Sequence, residues 1–311
     1  MFDLPQDIER ITPIILAGGT GSRLHPVSTQ NHPKQFLRLS DDKSLFEKTC
    51  ERFLKRPLLF RRSVVVSNLQ YQNFLNVDKA QCRQVILEPI AKNTAAACAI
   101  GCLSVMEKSE DRWICIAPSD HIITDEAQFF DDIITLQQNL GDTQIGFFGI
   151  KPTSSATGFG YIKTNSSSFA DGLHHINAFI EKPDKETIQK LLGEENIYWN
   201  SGLILAKARV FWAHLSKAAP ELTQQIKEIW SQRDEIQENE FALNRKAYQE
   251  ITGQQIDTVL LENCTQLYLK PARFDWKDLG QPDVTLSYLS QAQRESLANR
   301  TPSADPIIGN P

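Results

Sequence analysis

An apolar run at residues 13–17 leads directly into a glycine-rich loop, and this junction constrains the fold more than any other feature of the chain. The run is typical of a buried parallel strand. The loop reads Gly-Gly-Thr-Gly-Ser-Arg over residues 18–23. Because glycine has no Cβ atom, its backbone N–H group can approach an oxyanion closely. Arg23 and Lys34 can add positive charge to this cradle, so the junction predicts a site for phosphate groups.

The loop differs from the two best-known glycine-rich phosphate loops. Residues 19–24 lack the third glycine of the dinucleotide-binding fingerprint, and no GxxxxGK[ST] string occurs in the sequence. The sequence therefore disfavours a dehydrogenase and a Walker-type ATPase. A glycine-rich turn without any ligand is the alternative interpretation. The two basic residues beside the loop favour a phosphate ligand over that alternative.

Composition and charge narrow the class of protein. With 41% hydrophobic and 23% charged residues, a chain of 311 residues can form one large α/β domain or two modest ones. No apolar run approaches the roughly 18 residues of a membrane span, and the N-terminus has no hydrophobic signal core, so we expect a cytoplasmic protein without a membrane partner. The net charge of −5 argues against a nucleic-acid-binding surface. Six cysteines without CxxC spacing predict free thiols.

Strand-like and helix-like segments alternate along the first half of the chain. Apolar strand candidates lie at residues 13–17, 63–67, 84–87, 113–117 and 145–150. Helices are predicted at residues 44–54, 94–108 and 128–139. This alternation predicts an α/β fold with a doubly wound, mostly parallel sheet. Ligands of such sheets lie beyond the carboxyl ends of the strands, which is where Gly18, Glu88 and Asp120 occur.

The second half of the chain has a different pattern. Shorter strands are predicted at residues 160–163, 176–180 and 202–206, and we expect a mixed or antiparallel substrate half built onto the same sheet. A polar stretch at residues 220–245 is predicted to be helical, and another strand is predicted at 266–270. The tail after about residue 291 has no hydrophobic periodicity and is predicted to be mobile or docked as an irregular arm.

Two aspartates form a candidate metal site. Asp120 follows a predicted strand that ends near the glycine loop, and Asp278 lies much later, in the string WKDLG. Magnesium is usually held by one or two carboxylates, with phosphate oxygens and waters completing an octahedron. Two aspartates from separate loops fit this pattern. Each aspartate by itself is more often a cap or a turn residue.

Polar groups at two further strand ends could face a sugar phosphate. Glu181 and Lys182 follow the predicted strand at 176–180, and Asn200 lies beside Trp199 just before the strand at 202–206. The alternative interpretation is a surface salt bridge and an ordinary turn.

The chain carries ten short strings in a fixed order: LAGGTGSRL at 16–24, PKQF at 33–36, LEP at 87–89, NTA at 93–95, PSDH at 118–121, TGFGYI at 157–162, FIEKP at 179–183, WNSG at 199–202, Ile256-Asp257 with Glu262, and WKDLG at 276–280. In this order they resemble the nucleotidyltransferases that make nucleotide sugars. The resemblance is strongest to the bacterial mannose-1-phosphate guanylyltransferases.

This resemblance implies a Rossmann-like, GT-A-like fold and the transfer of GMP from GTP to mannose 1-phosphate, which gives GDP-mannose and pyrophosphate with Mg²⁺ as the cofactor. It implies a nucleotidyltransferase domain over residues 1–290. The nucleotide-binding half would cover about 1–155, the sugar-phosphate half about 156–290, and the tail 291–311. Many relatives associate, and the polar helices could form the interface of a homo-oligomer.

The resemblance also implies roles for individual residues. Arg23 and Lys34 would contact the triphosphate, Lys182 would join them in catalysis, and Asp120 with Asp278 would hold the metal. The implied substrate-binding residues are Leu16, Ala17, Gly18, Gly19, Gly21, Ser22, Glu88, Asn93, Thr94, Gly160, Glu181, Asn200 and Asp257. Among them Glu88 would read the guanine edge, and Asn93 and Thr94 would lie near the nucleoside. Gly160, Glu181, Lys182 and Asn200 would hold the mannose and its phosphate, and Asp257 would be a further pocket residue with a less defined role.

The chemistry of such a transfer agrees with these roles. The attacking phosphate and the α-phosphorus both sit among negative charges that repel each other, so cations are the expected catalysts. A sugar phosphate is already ionised at neutral pH, and no general base is needed. We therefore expect His121 to fix its loop rather than to act as a base. Glu88 can accept the N1 and N2 protons of guanine, whereas adenine offers no such pair of donors.

Several positions depart from the family pattern, which leaves the sugar open. They are His25, Thr29, Gln30, residues 258–261 and residues 281–282. One alternative is a guanylyltransferase for another sugar 1-phosphate, such as a manno-heptose. A second alternative is a non-catalytic GDP-sugar sensor, against which the retained charged residues argue. The sequence ends before the cupin-like isomerase domain of long bacterial members, so we expect no mannose-6-phosphate isomerase activity.

Overall fold

The computed structural model describes residues 8–19, 27–38, 43–75, 82–109, 111–165, 172–279 and 288. The strands are β1 (Ile11–Ala17), β2 (Ser63–Asn68), β3 (Cys82–Glu88), β4 (Trp113–Pro118), β5 (His121–Ile123), β6 (Ile145–Ile150), β7 (Tyr161–Thr164), β8 (His174–Ile180), β9 (Ile197–Lys207), β10 (Asp234–Gln237), β11 (Glu240–Ala242), β12 (Leu267–Pro271) and β13 (Trp276–Asp278). The α-helices are α1 (Leu45–Leu54), α2 (Asn93–Met106), α3 (Glu126–Asn139), α4 (Lys185–Leu191), α5 (Ala208–Ala218), α6 (Pro220–Ser231), α7 (Arg245–Gln249) and α8 (Ile256–Asn263).

One mixed sheet runs through the protein in the order β10-β11-β3-β2-β1-β4-β9-β6-β12-β8-β7. Strands β11, β3, β2, β1 and β4 are parallel to one another. Strand β9 is antiparallel to both β4 and β6, so it separates the parallel half from the rest. Strands β5 and β13 form a separate antiparallel pair. The expected α/β class and mixed sheet are therefore confirmed, and β9 explains why β6 does not extend the first parallel segment.

Helices cover both faces of the parallel strands. Along β1, Ile14 packs into the core that contains α2, whereas Ile11 and Ile15 pack into the core that contains α1 and α3. This alternation follows from the two-residue period of a strand. Helix α2 approaches β1 so closely that a Cβ atom on Gly101 would lie 2.6 Å from Cγ2 of Ile14. The alanine-rich sequence of α2 permits this contact, because small side chains let a helix lie close to a sheet.

Helix α1 begins where its sequence predicts. The Ser44 side chain accepts a hydrogen bond from the Glu47 backbone N–H, and the Glu47 carboxylate accepts one from the Ser44 N–H. This reciprocal capping box satisfies two backbone donors that the first turn of a helix otherwise leaves unpaired.

The prediction of a helical stretch at 220–245 is wrong beyond α6, which ends at Ser231. The chain instead forms the β10–β11 hairpin, turning at Asn239 with φ of 60°. Strand β11 then pairs in parallel with β3 and buries Phe241. Polar composition in this segment reflects an exposed sheet edge rather than an exposed helix, since β10 is exposed along its length.

The cysteines are free thiols, as predicted, and all but Cys264 are buried. Among the described residues, no helix combines the length and the apolar character needed to cross a bilayer. The tail predicted after about residue 291 lies outside the described residues.

Candidate active site

A cavity of about 350 Å³ opens at the carboxyl ends of β1, β3 and β4. Eight of the sequence-predicted site residues line it: Leu16, Gly18, Gly19, Lys34, Glu88, Asn93, Thr94 and Asp120. Ala17 lies at the end of β1 and is buried. Gly21, Ser22 and Arg23 lie outside the described residues. The cavity is therefore where a doubly wound sheet is expected to bind its ligand.

The first residues of the glycine loop are held by side chains from neighbouring segments. The Gln35 amide donates hydrogen bonds to the carbonyl oxygens of Ala17, at 3.0 Å, and Gly19, at 2.8 Å. The Ser119 hydroxyl donates to the Leu16 carbonyl at 2.7 Å. Because these three carbonyl oxygens accept hydrogen bonds from side chains of neighbouring segments, the end of β1 is held in position. Sequence reasoning missed Gln35, although its place beside Lys34 in the PKQF string was a signal.

Gly18 has a direct packing reason to be glycine. A Cβ atom at this position would lie 3.1 Å from Oε2 of Glu88. A larger side chain would therefore press on the Glu88 carboxylate.

The structure brings together three of the four charged residues predicted for the phosphate and metal site; the fourth, Arg23, lies outside the described residues. The ammonium of Lys34 forms an ion pair with the Asp120 carboxylate, and it lies 3.4 Å from Oδ1 of Asp278. Burial by itself would lower the pKa of Lys34, but the two carboxylates outweigh it and raise that pKa above its ordinary value. Burial would raise the pKa of Asp120, yet Lys34 holds that pKa at about 2. Lys34 and Asp120 are therefore both charged at neutral pH.

The two carboxylates fit a magnesium ion. They come from the ends of β4 and β13, and they converge on one cation, Lys34. Among the described residues, no group of three or more His, Cys, Asp or Glu side chains could hold a metal by itself. Magnesium does not need such a group, because it commonly binds one or two carboxylates together with substrate phosphates.

His121 lies beside these carboxylates. Its Nε2 atom is 3.8 Å from Oδ1 of Asp120, and its ring packs edge-on against Trp276 with the centroids 5.1 Å apart. Burial lowers the pKa of His121, and the nearby carboxylates do not reverse this. A neutral, packed imidazole fits the predicted loop-fixing role.

Glu88 is buried at the floor of the cavity, with 4% of its surface exposed. The Tyr248 hydroxyl donates a hydrogen bond to its Oε1 atom. Burial raises the pKa of Glu88 to about 7, against the hydrogen bond from Tyr248, which lowers it. Tyr248 lies 160 residues further along the chain, and sequence reasoning did not identify it.

Asn93 and Thr94 begin helix α2 at the edge of the cavity. Asn93 has a φ of 59°, in the left-handed region. The Thr94 hydroxyl accepts a hydrogen bond from the Ile256 backbone N–H at 2.9 Å, so it also caps the start of α8. Lys92, which sequence reasoning did not identify, lines the cavity and donates to the Gln249 carbonyl at 2.7 Å.

The remaining predicted residues form a second cluster. The Asn200 side-chain amide donates a hydrogen bond to Oδ1 of Asp257 at 2.7 Å, and its backbone N–H donates to the Gly160 carbonyl at 2.8 Å. Burial raises the pKa of Asp257, although the hydrogen bond from Asn200 opposes this. The cluster adjoins the cavity because Asp257 directly follows Ile256, which is bound to Thr94.

Glu181 and Lys182 directly follow β8 and belong to this cluster. The Lys182 ammonium forms an ion pair with the Glu181 carboxylate, and Lys182 has a φ of 44°. A Cβ atom on Gly160 would lie 3.1 Å from Oε2 of Glu181 and 2.5 Å from Phe179. The absence of a side chain at Gly160 thus lets the carboxylate and the aromatic ring approach the strand.

Comparison with sequence families matches residues 12–295 to the family described as nucleotidyl transferase. The chain belongs to this family. Mannose-1-phosphate guanylyltransferase 2 of Escherichia coli O157:H7 is 32% identical over 286 residues, which cover 87% of this chain and 58% of that protein. The xanthan biosynthesis protein XanB of Xanthomonas campestris pv. campestris strain B100 is 32% identical over 278 residues, covering 87% of this chain and 57% of that protein.

The chain thus spans less than two thirds of the length of these relatives. A crystal structure from Thermus thermophilus, named a mannose-1-phosphate geranyltransferase, has a TM-score of 0.77 at 21% identity and covers 94% of this chain and 81% of that one. This similarity shows the same fold. The family and fold that the ten strings predicted are confirmed.

Proposed function

We propose that the protein transfers GMP from GTP to mannose 1-phosphate and releases pyrophosphate. The observation that carries the proposal is the convergence of Lys34, Asp120 and Asp278 at the mouth of the glycine-loop cavity. An ammonium group, together with two carboxylates that can hold a metal cation, suits a reaction between two polyanions because both supply positive charge at the reacting phosphates. The likeness to mannose-1-phosphate guanylyltransferases supports the choice of substrates.

The proposed cofactor is Mg²⁺, held by Asp120 and Asp278. When bound, it would neutralise charge on the triphosphate and on the leaving pyrophosphate. Lys34, now paired with both carboxylates, would turn its ammonium toward the triphosphate. Arg23, which lies outside the described residues, is the proposed second contact to the triphosphate.

Glu88 is proposed to select the base. Its Oε1 atom is engaged by Tyr248, and its Oε2 atom lies beside Gly18 at the cavity. The carboxylate would then accept hydrogen bonds from guanine chiefly through Oε2, because Oε1 already accepts one from Tyr248. Adenine has no donor pair on the corresponding edge, so it would leave a buried carboxylate unpaired.

The sugar phosphate is proposed to bind at the second cluster. Asn200 and Asp257 offer an amide and a carboxyl group to hydroxyl groups of the sugar, and their mutual hydrogen bond fixes both side chains. Lys182 is the cation of this cluster and would contact the phosphate of the sugar. An oxygen of that phosphate would attack the α-phosphorus directly, without a general base.

The remaining expectations belong to this proposal. We propose a cytoplasmic enzyme with no nucleic-acid or membrane partner. The nucleotide half would cover about residues 1–155 and the sugar half about 156–290. Assembly into a homo-oligomer is compatible with the polar surface of α6.

The decisive experiment measures pyrophosphate release with four nucleoside triphosphates and several sugar 1-phosphates, including mannose and manno-heptose. Pyrophosphate release only from the pair GTP and mannose 1-phosphate, and from no other pair tested, would support the proposal. Loss of this activity in Asp120→Ala and Asp278→Ala would support the metal site. A preference for another sugar would correct the substrate. GTP binding without pyrophosphate release with any sugar would favour the sensor instead.

A further inference from the structure

Four arginines lie at the amino ends of four neighbouring strands, on the opposite edge of the sheet from the glycine-loop cavity. The strands are parallel and lie in the order β3-β2-β1-β4. Arg10 and Arg112 directly precede β1 and β4, Arg61 lies two residues before β2, and Arg83 is the second residue of β3. Parallel strands begin at one edge of a sheet and end at the other, so the four residues share one edge. We call them the arginine surface.

Backbone pairing sets how close three of these arginines are. Ile11 is paired with Trp113, so Arg10 and Arg112, which precede them, lie next to each other where β1 and β4 begin. The Arg61 backbone N–H donates a hydrogen bond to the Ile11 carbonyl at 2.7 Å, which places Arg61 beside Arg10 on the side of β2. Neighbouring strands lie about 4.8 Å apart, so the charges of these three arginines lie within interaction distance of one another.

Arg83 joins the group through an irregularity in β3. Ser63 of β2 is paired with Cys82, and the next residue, Val64, is paired with Gln84, so Arg83 is an extra residue in the ladder. A bulge of this kind bends the strand and re-aims a side chain. Arg83 is accordingly half-buried, whereas Cys82 and Gln84 on either side of it are buried.

The positive charges of this surface act on one another. Burial lowers the pKa of Arg61, and the charges of Arg112 and Arg10 lower that pKa further. Burial also lowers the pKa of Arg83, and the charges of Arg112 and Arg61 add to the effect. Arginine nevertheless stays protonated at neutral pH. The folded protein therefore holds like charges together at a cost in electrostatic free energy.

Carboxylates compensate this charge only in part. Glu9 acts on Arg61 and Glu107 acts on Arg83, but neither forms an ion pair with that arginine in the part of the chain that the structure describes. Glu107 is already engaged elsewhere, because its Oε1 atom lies 3.1 Å from Nη2 of Arg233. The arginine surface thus has an excess of positive charge that a bound anion would neutralise.

The size and border of the surface favour a small anion over an extended polymer. Four strands span only about 14 Å. The exposed carboxylates Glu9, Glu107 and Asp111 lie at the border, directly beside the arginines or acting on them. A nucleic-acid strand would extend past the arginines and meet these negative charges. A short chain of linked phosphates could instead contact several guanidinium groups at once, and the guanidinium fork matches the geometry of phosphate oxygens.

We propose that the arginine surface binds a small anion that carries two or more linked phosphate groups. Arg10, Arg83 and Arg112 contact the phosphates, and Arg61 adds positive charge beside them. The site is separate from the proposed reaction centre, since helix α2 begins at the glycine-loop cavity and ends next to Glu107. It does not depend on the identity of the substrates at that centre.

Thermal unfolding of the full chain with inorganic tripolyphosphate as the probe tests the proposal. A ligand that binds the folded state raises Tm with its concentration. We expect tripolyphosphate to raise Tm more than NaCl does at equal ionic strength, and orthophosphate to do so only at much higher concentration. Arg112→Gln and, separately, Arg83→Gln should each shift the response to roughly tenfold higher tripolyphosphate concentration.

The same variants give a second readout without any ligand. Because the arginines repel one another, Arg112→Gln should unfold at a Tm equal to or above that of wild type in low salt, and NaCl should reduce any difference by screening. A lower Tm of Arg112→Gln in low salt would overturn the repulsion on which the proposal rests. Lys190→Gln removes an exposed lysine paired with Glu186, and it should match wild type in Tm and in its response to tripolyphosphate.

Tripolyphosphate resembles the triphosphate of the proposed nucleotide, so each comparison is repeated in the Lys34→Met background. Arg112→Gln should weaken the response there as well. The proposal is overturned if wild type responds to tripolyphosphate no more than to NaCl, if either arginine variant responds like wild type, or if Arg112→Gln has no effect in the Lys34→Met background. It is also overturned if a single-stranded oligonucleotide binds more tightly than tripolyphosphate and loses that binding in Arg112→Gln. None of these results bears on pyrophosphate release, so the proposed function stands or falls separately.

Discussion

The Tyr248 hydroxyl donates a hydrogen bond to Oε1 of the buried carboxylate of Glu88. This bond crosses 160 residues of sequence and joins α7 to the end of β3. It stabilises the ionised form of Glu88, whereas burial favours the neutral form and raises its pKa to about 7. Glu88 is thus poised between two protonation states near neutral pH, and Tyr248 influences which state dominates.

GTP binding is expected to depend on this ionisation. If Glu88 accepts from guanine, affinity for GTP should weaken below pH 7 by up to about tenfold per pH unit, while ATP shows only the dependence due to its phosphates. Glu88→Gln should remove the difference between the two nucleotides. Tyr248→Phe should raise the pKa of Glu88 and move the loss of GTP affinity to higher pH. Calorimetric titrations at several pH values measure this, and identical GTP profiles in wild type and Glu88→Gln would contradict the role of Glu88.

The free energy of unfolding should also depend on pH through Glu88, and the raised pKa fixes the direction of that dependence. Burial raises the pKa of Glu88 from 4.5 to about 7 in the folded state, so between these values the folded protein holds a proton that the unfolded chain has released. The free energy of unfolding therefore falls as pH rises through this window, by about 3 kcal/mol in total. Glu88→Gln should be stabilised relative to wild type at pH 8 and much less at pH 5.

Urea denaturation at both pH values tests this second expectation. Glu186→Gln, at an exposed carboxylate, serves as the control and should change stability little at either pH. A stability difference between Glu88→Gln and wild type that does not grow with pH would show that Glu88 has the same pKa in the folded and the unfolded protein.

Much of this arrangement could be predicted from the sequence, for a physical reason. Parallel strands end at one edge, so motifs that follow strands must meet, as Gly18, Gly19, Glu88 and Asp120 do around one cavity. The partners of those motifs could not be predicted in the same way. Gln35 and Tyr248 act through contacts between distant segments, and neither residue type signals such a role by itself. The β10–β11 hairpin was missed because pairing with β3, not local propensity, determines its structure.

Lys34 is expected to compete with a divalent cation for the carboxylates of Asp120 and Asp278. Lys34→Met removes the ammonium that bridges them, so two neighbouring carboxylates lose their compensating charge. In the absence of nucleotide, affinity for Mn²⁺ should rise by roughly tenfold or more. Pyrophosphate release should nevertheless fall by about 10²-fold, because the triphosphate loses a cation.

These opposite directions make the Lys34 prediction specific. Mn²⁺ binding is followed by electron paramagnetic resonance, with Lys190→Gln as a control for the loss of one surface charge. Weaker Mn²⁺ binding in Lys34→Met would mean that Lys34 organises the carboxylates rather than competes for them.

Asp257 should affect the sugar phosphate and not the nucleotide. Asp257→Asn keeps a carbonyl oxygen that can accept from Asn200, whereas Asp257→Ala removes the acceptor and leaves the Asn200 amide unpaired. We expect KM for mannose 1-phosphate to rise about tenfold in Asp257→Ala, with KM for GTP unchanged and a smaller effect in Asp257→Asn. Steady-state kinetics with each substrate varied in turn measures both constants. Equal changes in the two KM values would place Asp257 outside the sugar subsite.

Gln35 is expected to hold the glycine loop in its binding conformation. Its amide is the donor that joins the Ala17 and Gly19 carbonyls, and Gln35→Ala leaves the Gly19 carbonyl without this partner. Loss of the two hydrogen bonds should cost about 1–3 kcal/mol of stability and raise KM for GTP several-fold, since a loosened loop presents its N–H groups less precisely. Gln137→Ala is the matched control, because Gln137 is also buried and donates to a backbone carbonyl, that of Glu9, away from the cavity. Both variants should lose stability in urea denaturation, but only Gln35→Ala should change KM for GTP. If the two variants changed that constant equally, Gln35 would support the fold alone.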